Sequence, residues 1–336
     1  MAGFRLLANK KVRLAEAEIH PVWIYNKLTV SNKYHRLCAE DRKVIANMKQ
    51  ARKKQIEYAQ ATLMDSYESS LSPHRHTTVG ITLLLFILHL GPLLLGWYLG
   101  WLWALGGLFT TSLFLIICSL YPHCRVFGSA TRRFPYSTRS VILTIDDGPS
   151  ADTEEILNLL RSYNVRALFF LIGSQAEQRP KDVKRIFDAG HIIGNHTQNH
   201  PCYWYWIYPP WRQRRELAQC QQTLFRITGA IPTQFRAPAG MRNPYCNLIA
   251  AEFGLAVTGW QARGFDGVDT PIEKIIATLR RGIAPGAIIL IHQGMPHSLK
   301  VLKKLLEFLQ EDGWDCVLPV EWLNAPKSDE TPQANY

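Results

Sequence analysis

Disulfide signatures are missing from this 336-residue sequence. Its seven cysteines (Cys38, Cys118, Cys124, Cys202, Cys220, Cys246 and Cys316) form no CxxC pair and no dense cluster, and their number is odd. That excludes a disulfide-stapled scaffold and fits a reducing compartment. Zinc-finger spacings and helix-turn-helix patterns are absent too, so the surplus of 38 Lys and Arg over 27 Asp and Glu is not read as a nucleic-acid surface. Most telling is the stretch from Thr77 to Leu120, which holds no Asp, Glu, Lys or Arg and only His89 as a group titrating near neutral pH.

One crossing of a hydrocarbon core takes about 20 residues, and this run is roughly twice that. Its length predicts two transmembrane helices within 77–121, near 78–97 and 101–120, with a turn at "GWYLGW". Trp97, Tyr98, Trp101 and Trp103 resemble the aromatic belt of a membrane interface. Position and length exclude a cleaved signal peptide. Lys10, Lys11, Arg13, Arg42, Lys43, Lys49, Arg52, Lys53 and Lys54 precede the run, and Arg125, Arg132, Arg133 and Arg139 follow it. Basic residues at both outer ends of an even number of crossings put both ends in the cytosol, at the cytoplasmic (inner) membrane. A single long, tilted or re-entrant segment, which a kink at Pro92 would allow, is the alternative, and it would send the C-terminal region outside. Residues 1–76 are expected to form a basic, largely helical arm attracted to anionic membrane lipid. Within it, 39–64 reads either as a helix lying on the membrane or as a solvated one.

After residue 134 the pattern changes to short apolar strands alternating with amphipathic helices. Strands are expected at 141–145, 166–172, 191–194, 233–237, 255–260, 287–292 and 315–319. Helices are expected near 153–163, 175–189, 210–228, 244–253, 271–282 and 297–312. Such alternation predicts an α/β fold with a parallel sheet closed or nearly closed into a barrel, whose chemistry collects where strands end. Residues 325–336 are polar and aperiodic and are expected to be a disordered tail.

The polar motifs fall at those strand ends. "VILTIDDGPS" runs a β-branched strand into Asp146 and Asp147, adjacent carboxylates that repel unless a cation sits nearby or one is protonated. In "GNHTQNHP", His196 and His200 stand four apart, and on a helical turn both imidazoles would share one face. Two histidines and one carboxylate make a three-ligand metal site with a position left for water. "FRAPAG" places Arg236 where it can hold a carboxylate ionised. His292 ends "ILIHQG" as a candidate proton donor, and "GWQARGFDGVD" offers Asp266 or Asp269 to orient it, with Arg263 beside them.

This ordered set resembles the polysaccharide deacetylase family, carbohydrate esterase family 4 or the NodB-homology domain, over residues 135–324. The resemblance implies a distorted (β/α) barrel preceded here by the hairpin, and a divalent metal, zinc first with cobalt or nickel as alternatives. It implies Asp147, His196 and His200 as ligands, Asp146 as general base tethered by Arg236, and His292 as general acid with Asp266 behind it. The backbone N–H of Tyr245, or of a nearby residue of the "FRAPAG" motif, is the expected oxyanion donor. One departure stands out. The family pattern Asp-x-x-Asp-Trp reads "RGFDG" here, so Arg263 replaces the first acid and Gly267 the tryptophan. That removes an apolar wall and leaves the acyl group open.

The resemblance implies hydrolysis of the N-acyl group of an amino sugar. A cytosol-facing domain points to a lipid-linked sugar or glycolipid, and the aromatic stretch "CYWYWIYPPW" could contact lipid or sugar. The alternatives are an exported peptidoglycan or exopolysaccharide deacetylase, an O-acetyl esterase, and a non-catalytic sugar-binding module.

Overall fold

The computed structural model describes residues 75–319 and Trp322, so the expected basic helix at 39–64 and the polar tail lie outside the described residues. Two long apolar helices come first, α1 (Arg75–Leu99) and α2 (Trp101–Leu120). Both are long and apolar enough to cross a membrane. The expected six-residue turn shrinks to Gly100, whose φ of +105° only glycine adopts at low cost. The two helices run antiparallel and touch through small residues. A Cβ on Gly96 would collide with Ala104, and one on Gly107 would meet Pro92 at 2.8 Å. Pro92 therefore sits inside one continuous helix against its neighbour's glycine.

The remaining chain alternates strand and helix: β1 (Ser140–Gly148), α3 (Thr153–Ser162), β2 (Leu168–Leu171), α4 (Gly173–Gln178), α5 (Pro180–Asp188) and β3 (Ile192–Asn195). A 3-10 turn (Tyr205–Ile207), α6 (Pro210–Thr228), β4 (Gln234–Phe235), α7 (Cys246–Glu252) and β5 (Ala256–Val257) follow. β6 (Ala262–Arg263), α8 (Ile272–Gly282), β7 (Ile288–His292), α9 (Ser298–Glu311) and β8 (Asp315–Cys316) complete the order. Every strand pair is parallel, in the order β5-β4-β3-β2-β1-β7-β6, with β8 on the start of β1. The result is a curled half-barrel. The connector 131–134 laces its ends, with Thr131 bridging Thr258 and Arg133 bridging Ala287.

Period-two alternation sorts the two faces. Val141, Leu143 and Ile145 of β1 join Phe169, Ile289 and Ile291 against Ile156, Leu160, Val183, Ile186, Val301 and Leu305 of the helices. Ile142 turns the other way, with Leu168, Phe170 and Ile288, into the curl. Because both faces are covered, these strands read as unbroken apolar runs. Two expectations change. The helix expected at 175–189 is two helices, since Pro180 cannot donate to the preceding turn and instead starts α5. Ala262–Arg263, where no strand is expected between those at 255–260 and 287–292, pairs with β7 as β6.

Candidate active site

Along β1, residues 142, 144 and 146 share the inner face, so Asp146 points into the curl beyond Thr144. Its register partner on β7 is His292, which puts those two side chains on one face of adjacent strands. Asp147 should then point outward. It does not, because the β1–β2 register slips between Ile145 and Gly148 and Asp147 takes φ +67°. A bulge of this kind re-aims a side chain, and here it brings consecutive carboxylates to one place.

Arg236 reaches in from the end of β4, almost wholly buried. One terminal nitrogen donates to Asp146 Oδ1 and Thr144 Oγ1, both at 2.7 Å. The other donates to Gly259 O at 2.8 Å, and the guanidinium lies 4.3 Å over the Phe170 ring. A buried guanidinium needs its remaining donors filled, and here Nε also faces Thr258 O at 3.3 Å.

His196 follows β3. Its Nδ1 lies 2.7 Å from the Arg236 carbonyl, which only accepts, so Nδ1 carries the proton and Nε2 presents a lone pair. That Nε2 lies 3.4 Å from Asp147 Oδ1 and 3.7 Å from Asp146 Oδ2. His200 Nε2 lies 3.2 Å from the same Asp147 oxygen. The expected helical turn between the histidines is absent. Asn195 Oδ1 accepts the Thr197 amide at 2.9 Å, Thr197 Oγ1 accepts that of His200 at 3.1 Å, and both residues adopt positive φ. The side chain of Asn195 competes with helix formation, and the chain bends instead. Glu216 of α6 anchors the bend, its two oxygens accepting from Asn199 N and Nδ2.

Asp147, His196 and His200 offer ligand atoms that all lie within 4.8 Å of one another. Asp147 Oδ1 is buried with no hydrogen-bond partner, the state expected of an oxygen shaped for a cation. Burial alone would raise the Asp147 pKa, but His196, with His200 and His292, holds the carboxyl well below its usual range. Burial, reinforced by His196, pushes His200 down to about 4. An anionic carboxylate and a neutral imidazole at neutral pH are what a divalent ion such as zinc requires.

Across the cavity stands a second dyad. The buried Asp266 accepts the His292 amide at 2.7 Å, and its other oxygen lies 3.0 Å from His292 Nδ1. Burial opposes protonation of His292, yet Asp266, aided by Asp146 and Asp147, raises its pKa. Asp269, the other candidate, is exposed. Arg263 stacks between Trp260 and Phe265, with its Nε buried and unpartnered. A Cβ on Gly267 would lie 3.5 Å from the His292 ring, so the glycine leaves that flank of the imidazole open. The Tyr245 amide, expected as an oxyanion donor, is engaged by Asn243 Oδ1 at 3.1 Å, and its hydroxyl meets Thr82 of α1.

Sequence reasoning missed Thr144, Asn195 and Glu216. Thr144 was legible as the inner-face residue before Asp146, and Asn195 as a turn-former beside His196. Glu216 carried no signal.

The family model described as polysaccharide deacetylase matches residues 135–258. A chitooligosaccharide deacetylase of Bradyrhizobium sp. (strain ANU 289) is 32% identical over 201 residues, covering 53% of this chain and 88% of the relative. A peptidoglycan-N-acetylglucosamine deacetylase of Bacillus cereus is 32% identical over 184 residues, covering 53% and 66%. The solved Bc1960 peptidoglycan N-acetylglucosamine deacetylase superposes with a TM-score of 0.52 at 32% identity, covering 56% of this chain and 89% of that one.

Proposed function

The chain belongs to the polysaccharide deacetylase family of carbohydrate N-deacetylases, and from that premise we propose that it removes an N-acetyl group from an amino sugar carried on a membrane lipid, at the cytosolic face. One observation carries the chemistry: Asp146 and His292 are in register on adjacent strands β1 and β7, at the strand end that also carries the Asp147, His196 and His200 cluster. A divalent metal held by those three residues, zinc by their donor types, would supply Lewis acidity toward the acyl carbonyl and lower the pKa of water.

The chain's own groups then divide the proton work. Asp146, held by Arg236 at 2.7 Å, takes a proton from the attacking water as the new C–O bond forms. His292, protonated through Asp266, gives a proton to the sugar nitrogen as the C–N bond breaks. The products are a free amino sugar and acetate. Both proton-transfer groups are held by a second residue, which a purely sugar-binding module would not need.

The substrate reading rests on the hairpin. Leu83, Leu84, Phe86, Ile87, Leu94, Leu102 and Phe109 of α1 and α2 are exposed, an apolar surface far larger than water-soluble proteins present. Two spans, with basic residues on either side, orient the hydrolase domain toward the cytosol, where sugars are carried on lipids rather than in wall polymers. The names of the relatives favour a second reading, an exported deacetylase of peptidoglycan or another glycan. Labelling of a Lys303→Cys variant in spheroplasts with a membrane-impermeant maleimide, against the parent protein, separates the two. Reaction only after permeabilisation fits the cytosolic assignment, whereas reaction with intact cells supports the exported one. Amine release from N-acetylglucosaminyl polyprenyl phosphate, compared with chitooligosaccharide, tests the substrate itself.

A further inference from the structure

We propose that the groove at the foot of the hairpin holds the hydrocarbon chain of the lipid-linked substrate, an assignment that rests on the lipid-linked reading above and locates where that lipid lies. The groove has a volume of about 560 Å³. One wall is membrane helix: Thr78, Thr82 and Leu85 of α1, and Leu115, Ile116 and Ser119 of α2. The other is the segment after the metal-ligand bend, chiefly Trp206, Ile207, Pro210 and Trp211. Ile207 is 51% and Trp211 69% exposed, so that wall is open on its outer side.

Depth follows from helix geometry. Thr78–Leu99 spans 22 residues, about 33 Å at 1.5 Å per residue, close to the roughly 30 Å of a hydrocarbon core. Gly100, Trp97 and Tyr98 mark the far interface, which places Thr78 at the near one. From Thr78 to Leu85 the groove then runs about 10 Å into the near leaflet. Trp206 and Trp211 line the groove beside Thr78 and Thr82, at the level where aromatic residues gather at membrane interfaces.

The polar content argues for a chain rather than a headgroup. Arg214 is the charged residue in the lining, and both its Nε and a terminal nitrogen are taken by Glu252, at 2.6 and 2.7 Å. The Glu252 side chain is fully enclosed, so the pair offsets the charge of Arg214 and presents no net charge to the groove. The groove is also tied to the reaction centre. Its aromatic wall begins just after His200, and α6, which carries Arg214, also carries Glu216, the clamp on Asn199. A chain lodged here leaves its head at the segment that positions a metal ligand.

The test uses full-length protein in lipid nanodiscs and two variants, Leu115→Trp and Ile116→Trp, which fill the groove and touch no group of the reaction centre. KM is measured for a long polyprenyl-phosphate-linked N-acetylglucosamine and for soluble chitooligosaccharide. The expected result is a rise of at least about tenfold for the lipid-linked substrate, equivalent to about 1.4 kcal/mol, with the soluble substrate unaffected. Equal effects on both, or on neither, overturn the assignment. In parallel, a diazirine-bearing polyprenyl phosphate is crosslinked to wild-type protein and mapped by mass spectrometry. Adducts on groove residues that are competed by polyprenyl phosphate and not by phosphatidylglycerol support the assignment. Competition by both, meaning bulk lipid only, or adducts elsewhere overturn it. Wild-type protein inactive on the lipid-linked sugar yet active on the soluble one would sink the substrate reading, while the crosslink would still locate the lipid.

Discussion

At the end of the sheet the carboxylates of Asp146, Asp147 and Asp266 each have a partner or a cation-shaped vicinity, whereas at the foot of the hairpin apolar side chains lie open on their outer side. Asp146 has Arg236, Asp266 has His292, and Asp147 is shared by His196 and His200. Around Thr82 and Leu115 the one ion pair is neutral and enclosed, and Ile207 and Trp211 face outward. The physics differs accordingly. Removing one partner at the sheet end strands a desolvated charge, while altering the foot changes only contact area.

The contrast is broken most severely at the cluster itself. Asp147→Ala should abolish retained zinc and lower kcat by at least the roughly 10²–10⁴-fold that a positioned catalytic group contributes, as measured by elemental analysis and amine release. Full zinc occupancy in that variant would remove Asp147 from the ligand set. Next comes Arg236→Met, which leaves Asp146 buried and unpaired. Denaturant titration should report a loss of about 3–5 kcal/mol, against little change for Leu115→Trp at the foot. Similar stabilities would mean that the two regions do not differ as described.

A smaller effect should follow from Asp266→Asn. Asp266 raises the His292 pKa, so a general acid there stays protonated to higher pH. Without that carboxylate the pKa falls, and the alkaline limb of the kcat/KM profile should move to lower pH while the acidic limb stays. An unmoved alkaline limb would assign it to another group. Smallest is Gly267→Trp, which restores a wall beside His292 at a position where a Cβ meets the imidazole in ordinary contact. It should disfavour N-propionyl relative to N-acetyl substrate by less than about tenfold, the low end for one methylene. An unchanged ratio would place the acyl group away from this flank.

Much of this was legible in the sequence because polar motifs sat at the ends of apolar runs, and a charge-free stretch of two membrane thicknesses admits few readings. The break at Pro180 had a local signal, since proline cannot donate to the preceding turn, but the periodicity of 175–189 reads as one helix. What stayed hidden depends on tertiary contacts. Nothing local in "TIDDGP" says that β1 bulges so that both carboxylates face inward. The histidine pair looked helical until the side chain of Asn195 captured the Thr197 amide. The residues alone left Asp266 and Asp269 open, the resemblance favoured Asp266, and Glu216 entered the site only through the packing of α6. The foot groove needed two distant segments, Thr78–Leu85 and Trp206–Trp211, to meet.

The most direct measurement couples metal content to amine release in one preparation: full-length protein in nanodiscs, assayed on N-acetylglucosaminyl polyprenyl phosphate, with Asp146→Asn alongside. The expected result is about one divalent ion per chain in both proteins, amine release by the wild type, and loss of release in the variant by roughly 10²–10⁴-fold. Metal-replete wild-type protein releasing no amine from this lipid or from chitooligosaccharide, or an Asp146→Asn variant as active as the wild type, would contradict the account.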